Sequence, residues 1–246
     1  YQEWCVERAF DRQRFAIFAD TGLGKTLTQL EWARQVTAIT RGRTLIVAPL
    51  NVVAQTIAEA STFYGADLPV FDARDRGALQ DWLAETVQDG GQVAITNYEK
   101  IEDGAPLPVQ AVVLDESSVL KQRMGARRTA LISAFDGVRW KLCCSATPAP
   151  NERQEYAEHA YFLGVVRSTR EFLAAFFVNR DGEWQLKRHG LDAFYRHLAS
   201  WSVFMRDPLA YGFADHNADR PPLEVEFPRI ELTDEQIVAA RLHEGG

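Results

Sequence analysis

With 246 residues, 46% hydrophobic and 25% charged, the chain has ordinary globular composition and room for one large α/β domain plus an appendage, or for two small domains. A net charge of −7 excludes a protein that is basic throughout, although one groove for phosphate backbones is compatible with an acidic remainder. No secretory leader and no run of about 20 apolar residues is present, so no membrane partner is expected. The three cysteines, Cys5, Cys143 and Cys144, make no disulfide framework and have no further ligands at metal spacing. They read as small buried hydrophobes in a reducing, cytoplasmic setting. Because the chain starts at Tyr1 without a methionine, it is expected to be a piece of something longer.

Residues 1–10, Y-Q-E-W-C-V-E-R-A-F, read as a short amphipathic helix that offers Trp4, Val6 and Phe10 to a core. Residues 15–26, F-A-I-F-A-D-T-G-L-G-K-T, begin as an apolar strand over 15–19 and turn abruptly at Thr21, Gly22, Leu23 and Gly24. A helix then opens at Lys25 and Thr26, with Leu27, Leu30 and Ala33 at helical spacing. Strand, Gly-rich turn and Lys-Thr on a helix N-terminus is what a phosphate-binding loop needs. Glycines let several backbone N–H groups point at one anion, and the helix end adds partial positive charge. Lys25 can reach β- and γ-phosphates, and the Thr26 hydroxyl can ligate magnesium. The strict pattern G-x-x-x-x-G-K-[ST] asks for Gly where this chain has Ala19.

Residues 43–49, R-T-L-I-V-A-P, form a continuous apolar strand of the kind covered on both faces, and Asn51 is placed to cap a helix over 52–64. A short strand is expected at 69–71, a helix over 76–87, a turn at 89–91 and an apolar strand over 92–97. After a loop with Pro106 and Pro108, the strand 111–114 ends in Asp115-Glu116-Ser117-Ser118. A helix over 123–135 and a strand over 138–145 follow, the latter stopping at Ala146-Thr147-Pro148. Strands that alternate with helices argue for a doubly wound parallel sheet. Ligands of such sheets lie at the carboxyl ends of strands, where every polar cluster named here falls.

Beyond residue 150 the texture changes. Residues 151–163, 169–178 and 191–201 read as helices, and their dense aromatics as core packing rather than as a base-stacking platform. Pro221-Pro222 marks a linker, residues 224–227 read as a strand and 230–232 as a second short apolar run, and Thr233 caps a final helix. The expected organisation is a lobe over 1–150, a mostly helical extension over 151–220 and a linker over 221–246 that leads to a second lobe.

Asp115 is placed to hold magnesium through its water shell, and Glu116 to polarise the water that attacks a γ-phosphate. Ser145 and Thr147 supply two hydroxyls at the next strand end, where they can couple nucleotide state to motion.

In order and approximate spacing, these segments resemble superfamily 2 helicases and translocases. Residues 20–26 resemble motif I, where the Ala19 departure is commonplace; residues 115–118, D-E-S-S, resemble motif II of the DEAD/DEAH-box type, and residues 145–147 motif III. Gln2 falls where the family carries its adenine-reading glutamine. Ala48-Pro49-Leu50 with Asn51-Val52-Val53, and I-T-N-Y-E over 95–99, resemble motifs Ia and Ib of Swi/Snf-like double-stranded DNA translocases. A-P-N-E-R-Q-E-Y-A-E-H-A-Y-F-L-G-V, from Ala149, resembles phage and prophage members. Phe204-Met205-Arg206 and, further on, E-L-T-D-E-Q resemble the passage from the first lobe to the second.

The resemblance implies a P-loop NTPase lobe of RecA-like fold that binds ATP and Mg2+ as part of a DNA helicase or translocase in a bacterial or phage setting. Its catalytic residues would be Lys25, Asp115 and Glu116, with nucleotide held by Gln2, Thr21, Gly22, Leu23, Gly24, Lys25 and Thr26, and metal by Thr26 and Asp115. It also implies phosphate contacts along the polynucleotide from Pro49, Asn51 and Val52 and from Thr96, Asn97 and Tyr98. Lys121, Arg123, Arg127 and Arg128 form the densest positive cluster, either a solvated helix face or part of that surface. In the second case, replacing Arg127 and Arg128 flattens the salt dependence of binding. The family's arginine finger lies in the second lobe, so this chain alone is expected to bind nucleotide but turn it over poorly. An RNA helicase lobe and an ATP-gated scaffold without translocation remain alternatives.

Overall fold

The computed structural model describes residues 1–214 apart from residues 88, 89, 102, 122–124, 150, 151 and 181. The elements expected beyond residue 214, and Arg123, lie outside the described residues. The chain opens with α1 (Gln2–Arg12), β1 (Arg14–Ala19) and α2 (Lys25–Thr40), followed by β2 (Arg43–Ala48) and α3 (Leu50–Tyr64). Next come β3 (Val70–Asp72), α4 (Arg76–Ala84), β4 (Gln92–Asn97) and β5 (Ala111–Asp115). Then α5 (Ala126–Ala134) leads into β6 (Trp140–Ser145).

These strands are parallel, in the order β3-β4-β2-β5-β6-β1, and β2 and β6 are buried at every position. Their unbroken apolar runs follow from helices on both faces. Along β6, Cys143 packs with α4, α5 and the helices after residue 150, whereas its neighbour Cys144 packs with α1, α2 and α3. The free thiols at Cys5, Cys143 and Cys144 are all buried, as expected.

Local chemistry moves several boundaries. Pro49, not Asn51, holds the cap position of α3: its φ of −59° already suits helix entry, so the helix starts at Leu50 and Asn51 stands exposed within its first turn. The helix expected over 76–87 stops at Ala84, and the strand expected from 138 begins at Trp140.

After residue 150 the chain forms α6 (Tyr156–Phe162), α7 (Thr169–Phe176), the antiparallel pair β7 (Phe177–Arg180) and β8 (Glu183–Leu186), then α8 (Leu191–Trp201). The helix expected through 178 therefore ends at Phe176. The N-R-D-G sequence that follows is a hairpin signal, and Gly182 takes the φ of +91° such a turn needs. A further strand, β9 (Ser202–Met205), was not expected: it joins the sheet beside β1, pairing Ala19 with Met205. Phe162, Phe172, Phe194 and Trp201 are buried, so the aromatic stretch does pack as core. No helix among the described residues is long and apolar enough to cross a membrane.

Candidate active site

Parallel register sets the ends of the central strands side by side. Phe18 is opposite Ser145, Cys144 opposite Asp115, Val47 opposite Leu114, and Ala48 opposite Asn97. The loop after β1, the acids after β5, the hydroxyls after β6 and the turns after β2 and β4 therefore share one rim of the sheet.

The loop at residues 20–24 is shaped by two left-handed glycines, Gly22 at φ +83° and Gly24 at φ +65°. A Cβ on Gly24 would lie 2.1 Å from Gln2 Nε2, so that side chain would have to move aside, but it is the left-handed backbone that favours glycine there. Gln2 Nε2 donates to Gly24 O at 3.3 Å and Tyr1 OH to Leu23 O at 3.2 Å, which ties the head of α1 to the loop. Leu23 is buried beneath it. Lys25, the first residue of α2, turns back and donates from Nζ to Ala19 O (3.0 Å) and Asp20 O (3.2 Å). From the other side, Asp20 N donates to Met205 O at 3.0 Å, so β9 anchors the start of the loop.

Asp115 is buried at the end of β5. Desolvation first, then the neighbouring Glu116, push its carboxyl up to about 6, partly offset by the nearby Gln29 amide, the Glu116 N–H and the charge of Lys25. Glu116 has φ +50°, a left-handed conformation that costs a non-glycine residue on the order of 1 kcal/mol. Tyr98 OH donates to Asp115 O at 2.6 Å in a buried contact, and Ser117 Oγ shares a buried 3.1 Å hydrogen bond with His159 Nε2. Burial foremost, and then the charge of Lys121, hold the His159 imidazole neutral with its pKa lowered to about 3. Ser145 Oγ donates to Glu116 Oε2 at 3.4 Å and accepts from Thr147 N at 3.1 Å, so Ser145 meets Glu116 while Thr147 reaches it only through its backbone and Ser145.

Nucleotide and magnesium fit these residues. The loop exposes Thr21 and Gly22 around a lysine held only by carbonyls. Asp115, raised by a like charge and by burial, sits where a cation would restore its ionised form. Among the described residues no group of three His, Cys, Asp or Glu side chains could hold a metal by itself.

The residues expected to face a polynucleotide divide. Asn51 is exposed and Pro49 and Val52 half-buried at the start of α3, at the same rim. Thr96, Asn97 and Tyr98 are buried; Thr96 Oγ1 donates inward to Ala73 O at 2.7 Å and Tyr98 OH to Asp115 O, whereas Asn97 Nδ2 donates to the exposed Glu99 Oε2 at 2.6 Å. Lys121 Nζ donates to Thr147 O, which ties it to the loop after β6. Arg127 forms a half-exposed 3.2 Å pair with Glu99. Arg128 is turned inward, 15% exposed and 2.5 Å from Glu158, itself 4% exposed, and is withheld from a surface contact. Sequence reasoning missed Tyr1, Gln29 and His159. A lone histidine among apolar residues carries no pattern of its own; only its position against Ser117 reveals it.

A family model described as SNF2-related domain matches residues 1–179. No curated protein matches the chain. Among solved structures, the fold is similar to the Sulfolobus solfataricus SWI2/SNF2 ATPase core in complex with dsDNA. The TM-score is 0.65 at 15% sequence identity, covering 83% of this chain and 42% of that one. This chain therefore spans less than half the length of the structure it matches, and the likeness at that identity concerns the fold: a RecA-like α/β lobe. With the family model matching well over half of its length, the chain belongs to the SNF2-related domain family.

Proposed function

We propose that this chain is the first lobe of an ATPase that couples hydrolysis of magnesium-bound ATP to movement along duplex DNA. The observation that carries the reading is the convergence on one sheet rim of the Lys25 loop, the Asp115–Glu116 pair and the Ser145–Thr147 turn, with Glu116 in contact with Ser145. Residues 1–150 would form the ATP-binding lobe, 151–220 the part packed on it, and 221–246 the lead into a second lobe.

In this reading the backbone amides of Thr21, Gly22, Leu23 and Gly24 cradle the phosphates, and Gln2 selects the base. Lys25 exchanges the Ala19 and Asp20 carbonyls for β- and γ-phosphate oxygens. Thr26 and Asp115 hold the magnesium ion, which when bound neutralises charge on the phosphates. Glu116 accepts a hydrogen bond from the attacking water and orients it in line. Ser145 and Thr147 sense the loss of the γ-phosphate through their contacts with Glu116 and with each other.

Support for nucleic acid comes from the family and from the similar structure, which holds dsDNA. At the start of α3, Pro49 has no N–H and Val52 N donates to Pro49 O at 3.0 Å, so what this end offers phosphate oxygens is the helix N-terminus and the exposed Asn51. The turn after β4 at 96–98 contributes backbone only, and Arg127 and Lys121 lie behind it. An arginine from another lobe is worth about 10³ to 10⁵ in rate in such ATPases, so this chain by itself would bind nucleotide and turn it over slowly. Three free cysteines, all buried, suit a reducing cytoplasm of a bacterial or phage-infected cell.

The test measures, on the full-length protein with its second lobe, affinity for a fluorescent ATP analogue, ATPase rate with duplex DNA, single strands or RNA, and ATP-dependent triplex displacement. Lys25→Ala should abolish nucleotide binding, and Glu116→Gln should retain binding but lose hydrolysis and displacement. Nucleotide affinity indifferent to Lys25→Ala would overturn the site. Stimulation by RNA in place of duplex DNA would overturn the choice of polynucleotide. Duplex-stimulated hydrolysis with no displacement would mark a scaffold rather than a motor.

A further inference from the structure

We propose that Tyr98 and His159 are positioning residues that hold Glu116 in its left-handed conformation, one through the residue before it and one through the residue after it. The proposal rests on the reading of Glu116 as the acid that orients water.

The local turn around Glu116 is weakly bonded. Ser118 Oγ and Val119 N both reach Glu116 O only at 3.4 Å, and Glu116 N reaches Asp115 Oδ1 at 3.1 Å. A non-glycine residue at φ +50° persists only where the surroundings over-determine it. The two buried contacts that flank Glu116 come from distant segments. Tyr98 follows β4, which lies two places from β5 in the sheet with β2 between them, roughly 10 Å away. Its hydroxyl crosses that gap to the carbonyl of Asp115 at 2.6 Å. His159 belongs to α6, is fully buried, and its ring stands edge-on to Phe18 at 5.2 Å. That packing fixes the imidazole plane so that Nε2 meets Ser117 Oγ.

Neither polar group is needed to fill space: a phenylalanine and a leucine would pack such sites at lower desolvation cost. What the hydroxyl and the imidazole add is a directed bond on each side of one residue. Tyr98 has a second consequence. It sits between Asn97 and Glu99, which bond each other, and Glu99 pairs with the half-exposed Arg127. A phosphate backbone that displaces this turn therefore moves the group that holds Asp115 O. The path from the polynucleotide face to the acid is one side chain long.

The experiment compares the full chain with Tyr98→Phe, His159→Leu, His159→Gln and Glu116→Gln. Amide exchange of the nucleotide-free protein over residues 112–121 is read alongside nucleotide affinity and kcat with and without duplex DNA. Tyr98→Phe and His159→Leu should each speed exchange at 115–118 about tenfold. They should lower kcat about tenfold or more, because a small misplacement of an orienting group is costly. Nucleotide affinity and KM should stay within about twofold, since the phosphate loop is untouched. Tyr98→Phe should also lose most of the DNA stimulation, and His159→Gln, whose amide can replace Nε2, should recover most of what His159→Leu loses. Unchanged exchange and kcat in Tyr98→Phe overturn the proposal, and that isosteric variant decides the matter if His159→Leu fails to fold. Full activity in Glu116→Gln instead refutes the role of Glu116, and the exchange data still judge the positioning.

Discussion

Asp115 is buried to 8% exposure beside another acid, and its raised pKa makes a statement about stability. A carboxyl that titrates at about 6 in the folded chain and near 3.8 when unfolded binds its proton more tightly in the folded state. Stability must therefore fall as pH rises through that window and level off above it. The loss, about two pK units, is worth about 3 kcal/mol. Asp115→Asn should match the parent near pH 4, grow more stable by about that amount by pH 7 in urea melts, and lose magnesium-dependent nucleotide affinity. Parallel pH profiles would show that Asp115 is not held up as described. The site trades stability for a cation-ready carboxylate.

Arg127 and Arg128 are neighbours with opposite fates. Arg127→Ala removes a half-exposed pair of little worth and should leave stability almost unchanged, while the salt slope of DNA binding falls by about 1. Arg128→Ala removes the inward-turned cation 2.5 Å from Glu158, itself 4% exposed, and should cost about 3 kcal/mol. If instead both substitutions act only on the salt slope, the buried pair is not structural. The sequence shows two adjacent arginines on a helix, and only the packing of α5 against α6 tells them apart. The same holds for Tyr98: a tyrosine after a strand is visible, but the carbonyl its hydroxyl finds belongs to a strand 17 residues on.

At the scale of elements, the strands with unbroken apolar runs were legible, because burial on both faces leaves a signature that short polar-edged strands lack. β9 escaped because S-V-F-M is only four residues long, follows directly on the helix expected over 191–201 and carries no period of its own. The start of β7 was absorbed into the helix expected through 178, and β8, four residues with a short in-and-out alternation, was not expected. Yet β9 supplies the carbonyl of Met205 to Asp20 and lies against the strand that feeds the phosphate loop. The family model stops at residue 179, before α8 and β9. A chain cut there keeps every expected nucleotide residue but loses Phe194, Leu198, Trp201 and Met205, which are at most 2% exposed. At about 1.5 to 3 kcal/mol for each large apolar side chain, the loss is on the order of the whole stability of a domain. Residues 1–179 should show no cooperative thermal transition and no nucleotide affinity, whereas residues 1–214 should show both. A cooperative melt of the shorter piece would make β9 an accessory.

For the whole molecule, the alternation of strand and helix foretold a doubly wound sheet, and the chemistry gathers at one end of it because parallel strands all finish there. Composition could not reveal this: a net charge of −7 says nothing about which groups gather at one rim of the sheet. What stayed hidden were links between distant segments, such as Tyr1 to the loop, His159 to Ser117 and Arg128 to Glu158, which follow from packing and not from any period.

The two neighbouring cysteines of β6 face opposite helix layers, and burial raises both thiols well above their usual range. Neither can become a thiolate, be alkylated or be oxidised until the layer over its own side lifts away from the sheet. Since they share one stretch of backbone, any difference in their rates of modification belongs to the layers and not to the strand. The pair is a built-in clock with two hands, one for the side bearing α1 to α3 and one for the side bearing α4 to α8.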